Sequence, residues 1–187
     1  MAPALRLFQS TLRYIGYLER WLGIGLLAVM VVAITTQVFT RYVFNRPIIW
    51  VEELATYSFI WGAFVGASLG LKYGRHVKIE TFVERLPAHS KAASRILVNL
   101  IVIAVLWLLV REVGKVIDIE SRSTSVSLPW AVPRAWFYSI PLALSCLSML
   151  ATCVYFVLAE LAALAGAKDV DTAGGIMGAP PAANMQV

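Results

Sequence analysis

Apolar positions gather along this chain into four long runs, and the polar residues fall in the gaps between them. The runs extend from Trp21 to Phe39, Leu54 to Leu71, Ile96 to Val110 (the pattern continuing towards Ile119) and Trp136 to Leu164. No histidine, lysine or aspartate stands near the middle of any of them. A hydrocarbon core about 30 Å thick takes about 20 helical residues to cross. Inside lipid the backbone must satisfy its own hydrogen bonds, which makes runs of this kind helices. The pattern therefore predicts an all-α membrane protein with four transmembrane helices over about 21–43, 52–72, 93–118 and 135–164.

The flanks refine this outline. Residues 1–20 form a basic segment in which Leu5, Phe8, Leu12 and Ile15 recur at helical spacing, with Arg6, Arg13 and Arg20 between them. The segment reads either as an interfacial amphipathic helix or as an extension of the first span. Between the second and third spans, Val77, Ile79, Phe82, Val83 and Leu86 alternate with charges and end at Pro87, which predicts a second short interfacial helix. Asn45-Arg46-Pro47 breaks the chain after the first span, and Ser121 to Ser127 forms a polar loop after the third. The stretch 166–187, rich in Ala, Gly and Pro, reads as a disordered tail beyond a four-helix domain over 21–165.

Charge sets the topology. If the N-terminus is cytoplasmic, ten of the 16 Lys and Arg residues face the cytoplasm and six face out. The loop from Lys72 to Arg95 contributes most to that excess. Both termini are then expected inside. The net charge of +5 accordingly describes loops between spans and gives no sign of a nucleic-acid surface. The first span is too long for a signal-peptide core and is not followed by a small-residue cleavage site, so it is expected to stay. Cys146 and Cys153 share one predicted helix about 10.5 Å apart along its axis. That is too far for a disulfide.

Candidate packing and polar positions stand out against this frame. Ser58, Gly62, Gly66, Gly70 and Gly74 recur every four residues, and small residues at that spacing admit a close helix, in this chain or in another protein. Glu53, Tyr57 and Trp61 form a second stripe that faces a partner or lipid. Asn99 is placed to hydrogen-bond across to a neighbouring helix. Arg41, Trp50, Glu52 and Glu53 form a polar cluster at the outer interface. The two glutamates admit three readings: carboxylates favoured at a helix N-terminus, partners for Arg41 or Arg46, or a proton or cation site.

Familiar chemistry is missing from the sequence. It holds no phosphate-binding loop, no G-x-S-x-G, no H-E-x-x-H and no C-x-x-C. His76 and His89 lie in a loop, too few for a zinc site and misplaced for haem. The chain is expected to be no enzyme and to hold no cofactor or metal.

One family gathers these features. Arg41-Tyr42-Val43-Phe44-Asn45 closes the first span and Trp50-Val51-Glu52-Glu53 opens the second. Trp61-Gly62-Ala63-Phe64-Val65-Gly66-Ala67 follows, and then an inner-loop motif beginning Gly74-Arg75-His76 and running to Glu80. In that order the segments resemble the small membrane subunit of tripartite ATP-independent periplasmic (TRAP) transporters, the DctQ-like family. The resemblance covers about Trp21 to Glu84; the later spans agree in length and placement. It implies a multi-pass bacterial inner-membrane protein that braces a large membrane subunit. Through that subunit an organic acid, delivered by a periplasmic binding protein, is taken up with sodium. Because the chain ends after four spans, the large subunit is expected to be a separate polypeptide, with phospholipid as a further partner. Two other functions fit the residues alone: a stand-alone four-helix proton-coupled exporter using Glu52 or Glu53, and a structural anchor for another membrane complex.

Overall fold

The structure is a computed structural model and describes residues 2–73, 88–125, 132–164 and 175–177. Four long helices follow one another: α1 (Ala2–Val43), α2 (Ile49–Lys72), α3 (Ala88–Glu120) and α4 (Ser139–Leu164), with a 3-10 turn at Arg134–Trp136 before the last. All four are long and apolar enough to cross a membrane. The second interfacial helix expected over 77–87, and with it Gly74, Arg75 and His76, lies outside the described residues.

The basic N-terminal segment continues the first span without a break. α1 has 42 residues, about 63 Å at 1.5 Å per residue. That is roughly twice the hydrocarbon thickness. It stops where Asn45 takes a φ of 50°, a left-handed conformation that asparagine tolerates better than most residues. The amides of Phe44 and Arg46 both donate to the Thr40 carbonyl, at 3.2 and 3.3 Å. Inside the spans, Thr35, Thr36, Thr56 and Thr152 each donate to the carbonyl four residues earlier, so their hydroxyls are satisfied without a partner helix. Pro141 lies in the first turn of α4, where a missing amide breaks no helical bond.

The chain packs as two compact units. The first comprises residues 1–17, 68–108 and 147–187. Its core is Leu12, Tyr155, Ala159 and Ile176, with Leu5, Phe8, Ala151 and Phe156 packed around it. Phe8 meets Tyr155 edge-on, with ring centroids 5.9 Å apart. The second unit comprises residues 18–67 and 109–146. Its core is Ala33, Val51 and Ala55, joined by Met30 and Ile48. A Cβ at Gly23 would sit 3.7 Å from Val65 Cγ1, ordinary contact distance for a close α1–α2 approach.

Burial is unequal among the spans. One third of the most apolar stretch of α2 and of the fourth span is buried, against 6% for α1 and α3. α1 and α3 instead expose Trp21, Leu27, Val32, Ile101, Trp107 and Leu108. In lipid such side chains cost nothing, so these faces are free to meet acyl chains or another membrane helix.

The expected disorder of the tail does not hold at Gly175–Met177; the rest of 166–187 lies outside the described residues. Gly175 has a φ of 70°, which only glycine adopts without strain. The turn places Ile176 against Leu12 with no exposed surface. The amides of Ile176 and Met177 donate to the Lys72 carbonyl at 2.9 and 3.3 Å, and Arg13 Nε donates to the Ile176 carbonyl at 3.4 Å. The end of α2 leaves carbonyls without helical donors, and these three residues cap one of them.

Candidate functional site

In the first unit, polar groups pair inside an apolar frame. Lys72 is wholly buried, and its ammonium donates to Ser148 Oγ at 2.7 Å. One face away along α4, Glu160 accepts from Arg95 at 3.1 Å, with side chains 9% and 46% exposed. Charged groups at membrane depth are costly unless paired, so both contacts fix helix register. The sequence signalled neither, because each pairs residues 65 or more positions apart. Asn99 corrects an expectation: its amide donates back to the Arg95 carbonyl within α3, a turn away, and not to a neighbouring helix. Cys146 and Cys153 are buried free thiols.

In the second unit the aromatic stripe turns inward. The Tyr57 hydroxyl donates to Glu53, and its ring stacks on Phe137 with centroids 3.7 Å apart and planes 6° apart. Trp61 Nε1 donates to the Trp136 carbonyl at 3.1 Å. The stripe expected to face a partner or lipid is thus held by the aromatic return of the chain. Its tyrosine and indole polar groups need acceptors when removed from water, and a neighbouring carboxylate and a free carbonyl supply them. The hairpin ahead of that return is closed by Ser125 N to Val132 O and Arg134 N to Ser123 O, both 2.9 Å. Glu120 accepts from Ser139, joining the end of α3 to the start of α4.

The small-residue stripe does not form one face. Four residues turn an α-helix about 40° past a full turn, so from Ser58 to Gly70 the stripe winds by about 120°. Ser58 is buried, and a Cβ at Gly62 would lie 4.0 Å from Leu26 Cβ. Gly66 is exposed, with nothing within 4 Å of where its Cβ would be. Gly70 is half-buried. The stripe begins inside the chain and emerges at Gly66.

The outer-interface cluster divides. Glu53 turns to Tyr57, while Trp50 is exposed. Arg41 and Glu52 line one cleft of about 580 Å³ between α1 and α2, with Gln37, Tyr42 and Thr56 at the same end. Among the described residues neither Arg41 nor Glu52 makes a side-chain hydrogen bond or ion pair. The carboxylate of Glu52 stands in the first turn of α2, where the helix dipole favours it.

Four apolar spans, paired buried charges and open helix faces define a multi-pass membrane component built to hold and to be held. A family model described as the DctQ component of tripartite ATP-independent periplasmic transporters matches residues 30–163, and the chain belongs to that family of transport components. It is a multi-pass protein of the bacterial inner membrane. A putative TRAP transporter small permease protein of Haemophilus influenzae is 30% identical over 104 residues, 56% of this chain and 65% of that protein. The sialic acid TRAP transporter small permease protein SiaQ of Vibrio cholerae is 33% identical over 79 residues, 42% of this chain and 46% of its own length. The C4-dicarboxylate small permease protein DctQ of the same organism is 28% identical over 81 residues, covering 43% and 35%. The chain spans less than two thirds of each of these relatives.

Proposed function

We propose that the chain is the small permease subunit of a TRAP transporter. In this reading it braces a large membrane subunit during secondary active, sodium-coupled uptake of an organic acid delivered by a periplasmic binding protein. The family match over residues 30–163 carries the reading. The named cargoes of two relatives, sialic acid and C4-dicarboxylate, are both organic acids, which supports that class.

A transport subunit that moves substrate needs a neighbour that stays still against the bilayer. Pairs such as Lys72–Ser148 and Arg95–Glu160 suit a stiff stator. The stretch from Gly62 through Gly66 to Gly70 is the proposed contact for the large subunit, closest at Gly66, where no side chain of this chain intervenes. Arg41, Trp50, Glu52 and Glu53 set the level of the outer interface, with both termini in the cytoplasm.

Proteoliposome uptake tests the reading. Vesicles holding this chain alone should take up no organic acid, whereas the chain with its large subunit, binding protein and a sodium gradient should. Transport by the chain alone would overturn the assignment and favour a stand-alone exporter.

A further inference from the structure

We propose that the cleft between α1 and α2 is a binding site for one zwitterionic phospholipid of the ethanolamine class. Its phosphate would meet Arg41 and its ammonium Glu52. The cleft lies wholly within the second compact unit.

The lining is graded. Met30, Ile34 and Val38 repeat at four-residue spacing along α1, facing Ala55 and Phe59 of α2. The polar groups stand at the end where α1 stops and α2 begins. From Arg41 to Met30 is 11 residues, about 16 Å along the axis. Half of a 30 Å hydrocarbon core is about 15 Å. The cleft is therefore about one leaflet deep, apolar where acyl chains lie and charged at headgroup level. Its volume of about 580 Å³ falls among ligand-binding clefts, about 300–1,000 Å³.

The charges select the headgroup. Arg41 and Glu52 are of opposite sign, line the same mouth and make no side-chain bond among the described residues. The mouth is held in shape because Gln37 Oε1 accepts from the Ile48 amide at 3.1 Å, tying the end of α1 to the start of α2. A guanidinium favours a phosphate through paired N–H donors. A carboxylate favours a primary ammonium, which donates hydrogen bonds that a quaternary ammonium lacks and a glycerol headgroup makes without charge. An anionic lipid would leave Glu52 uncompensated.

The test is lipid retention. Protein purified from native membranes is exchanged into detergent containing equal phosphatidylethanolamine, phosphatidylglycerol and phosphatidylcholine, washed, and its bound lipid measured by mass spectrometry. The ethanolamine lipid should be retained stoichiometrically and about tenfold over the other two, as one charge-assisted contact implies. Glu52→Ala should abolish that preference, Arg41→Ala should lower retention of all three, and Glu112→Ala, outside the cleft, should change neither. Equal retention of the three lipids by the unmodified chain would overturn the proposal even if a variant failed to fold. So would a protein partner that crosslinks to Arg41→Cys in place of lipid.

Discussion

Replacing Ile176 with alanine should release the C-terminal clasp while leaving the helices standing. Ile176 is completely buried on Leu12, Tyr155 and Ala159, at the end of the bundle where α2 stops. The change removes three carbon groups at about 0.8 kcal/mol each, or roughly 2.4 kcal/mol. A docked segment can peel away, so no cavity remains to add a further cost, and the docking equilibrium should fall roughly fiftyfold. Ile176→Val removes one group and should lower it about fourfold. The observable is hydrogen exchange at the Ile176 and Met177 amides, which donate to the Lys72 carbonyl. Their protection should drop by these factors, while the thermal midpoint of the helical signal barely moves, because the opening is local. Gly16→Leu should act the same way, since a Cβ there would lie 2.7 Å from Met177 Sδ. Amides at 176 and 177 that exchange freely in the unmodified chain, or equally slowly in all variants, would refute the reasoning.

Other substitutions separate packing from assembly. Arg95→Ala should destabilise the isolated chain more than Glu160→Gln, because it leaves the more buried partner charged and alone; equal thermal midpoints in detergent would contradict that order. Ser148→Ala removes the acceptor of the buried Lys72 ammonium and should cost about 1.5–3 kcal/mol in unfolding measurements. Gly66→Leu meets open space, so the isolated chain should be unaffected while the yield of complex with the large subunit falls; unchanged yield and uptake would remove Gly66 from the interface. Alanine at both Glu52 and Glu53 should impair assembly or docking in pull-down, and a changed sodium coupling ratio would contradict their placement at the interface.

The four helices were legible because lipid leaves an apolar run of span length little choice of structure. Even the charged extension of α3 to Glu120 kept its helical pattern and proved helical. What stayed hidden was pairing over distance. Lys72 looked like a topology-setting loop cation, yet it is buried on Ser148 and its carbonyl is capped by residues 176 and 177. Nothing in local periodicity distinguishes the two. Tyr57 and Trp61 suggested an outward face, and only the return of Trp136 and Phe137 supplied the carbonyl and the ring that turned them inward. Four-residue spacing of glycines suggested one continuous face, but the 40° excess per step carried Gly66 into the open. Arg41 and Glu52 were visible as a polar cluster; their sharing one cleft depended on how α1 and α2 cross.

The most direct test of the stator reading is to purify the tagged chain from its native membranes in mild detergent and identify what accompanies it. A large polytopic membrane protein present in stoichiometric amount is the predicted result. A chain that purifies alone, as a stable homo-oligomer, would contradict the account and return attention to Glu52 and Glu53 as transport residues.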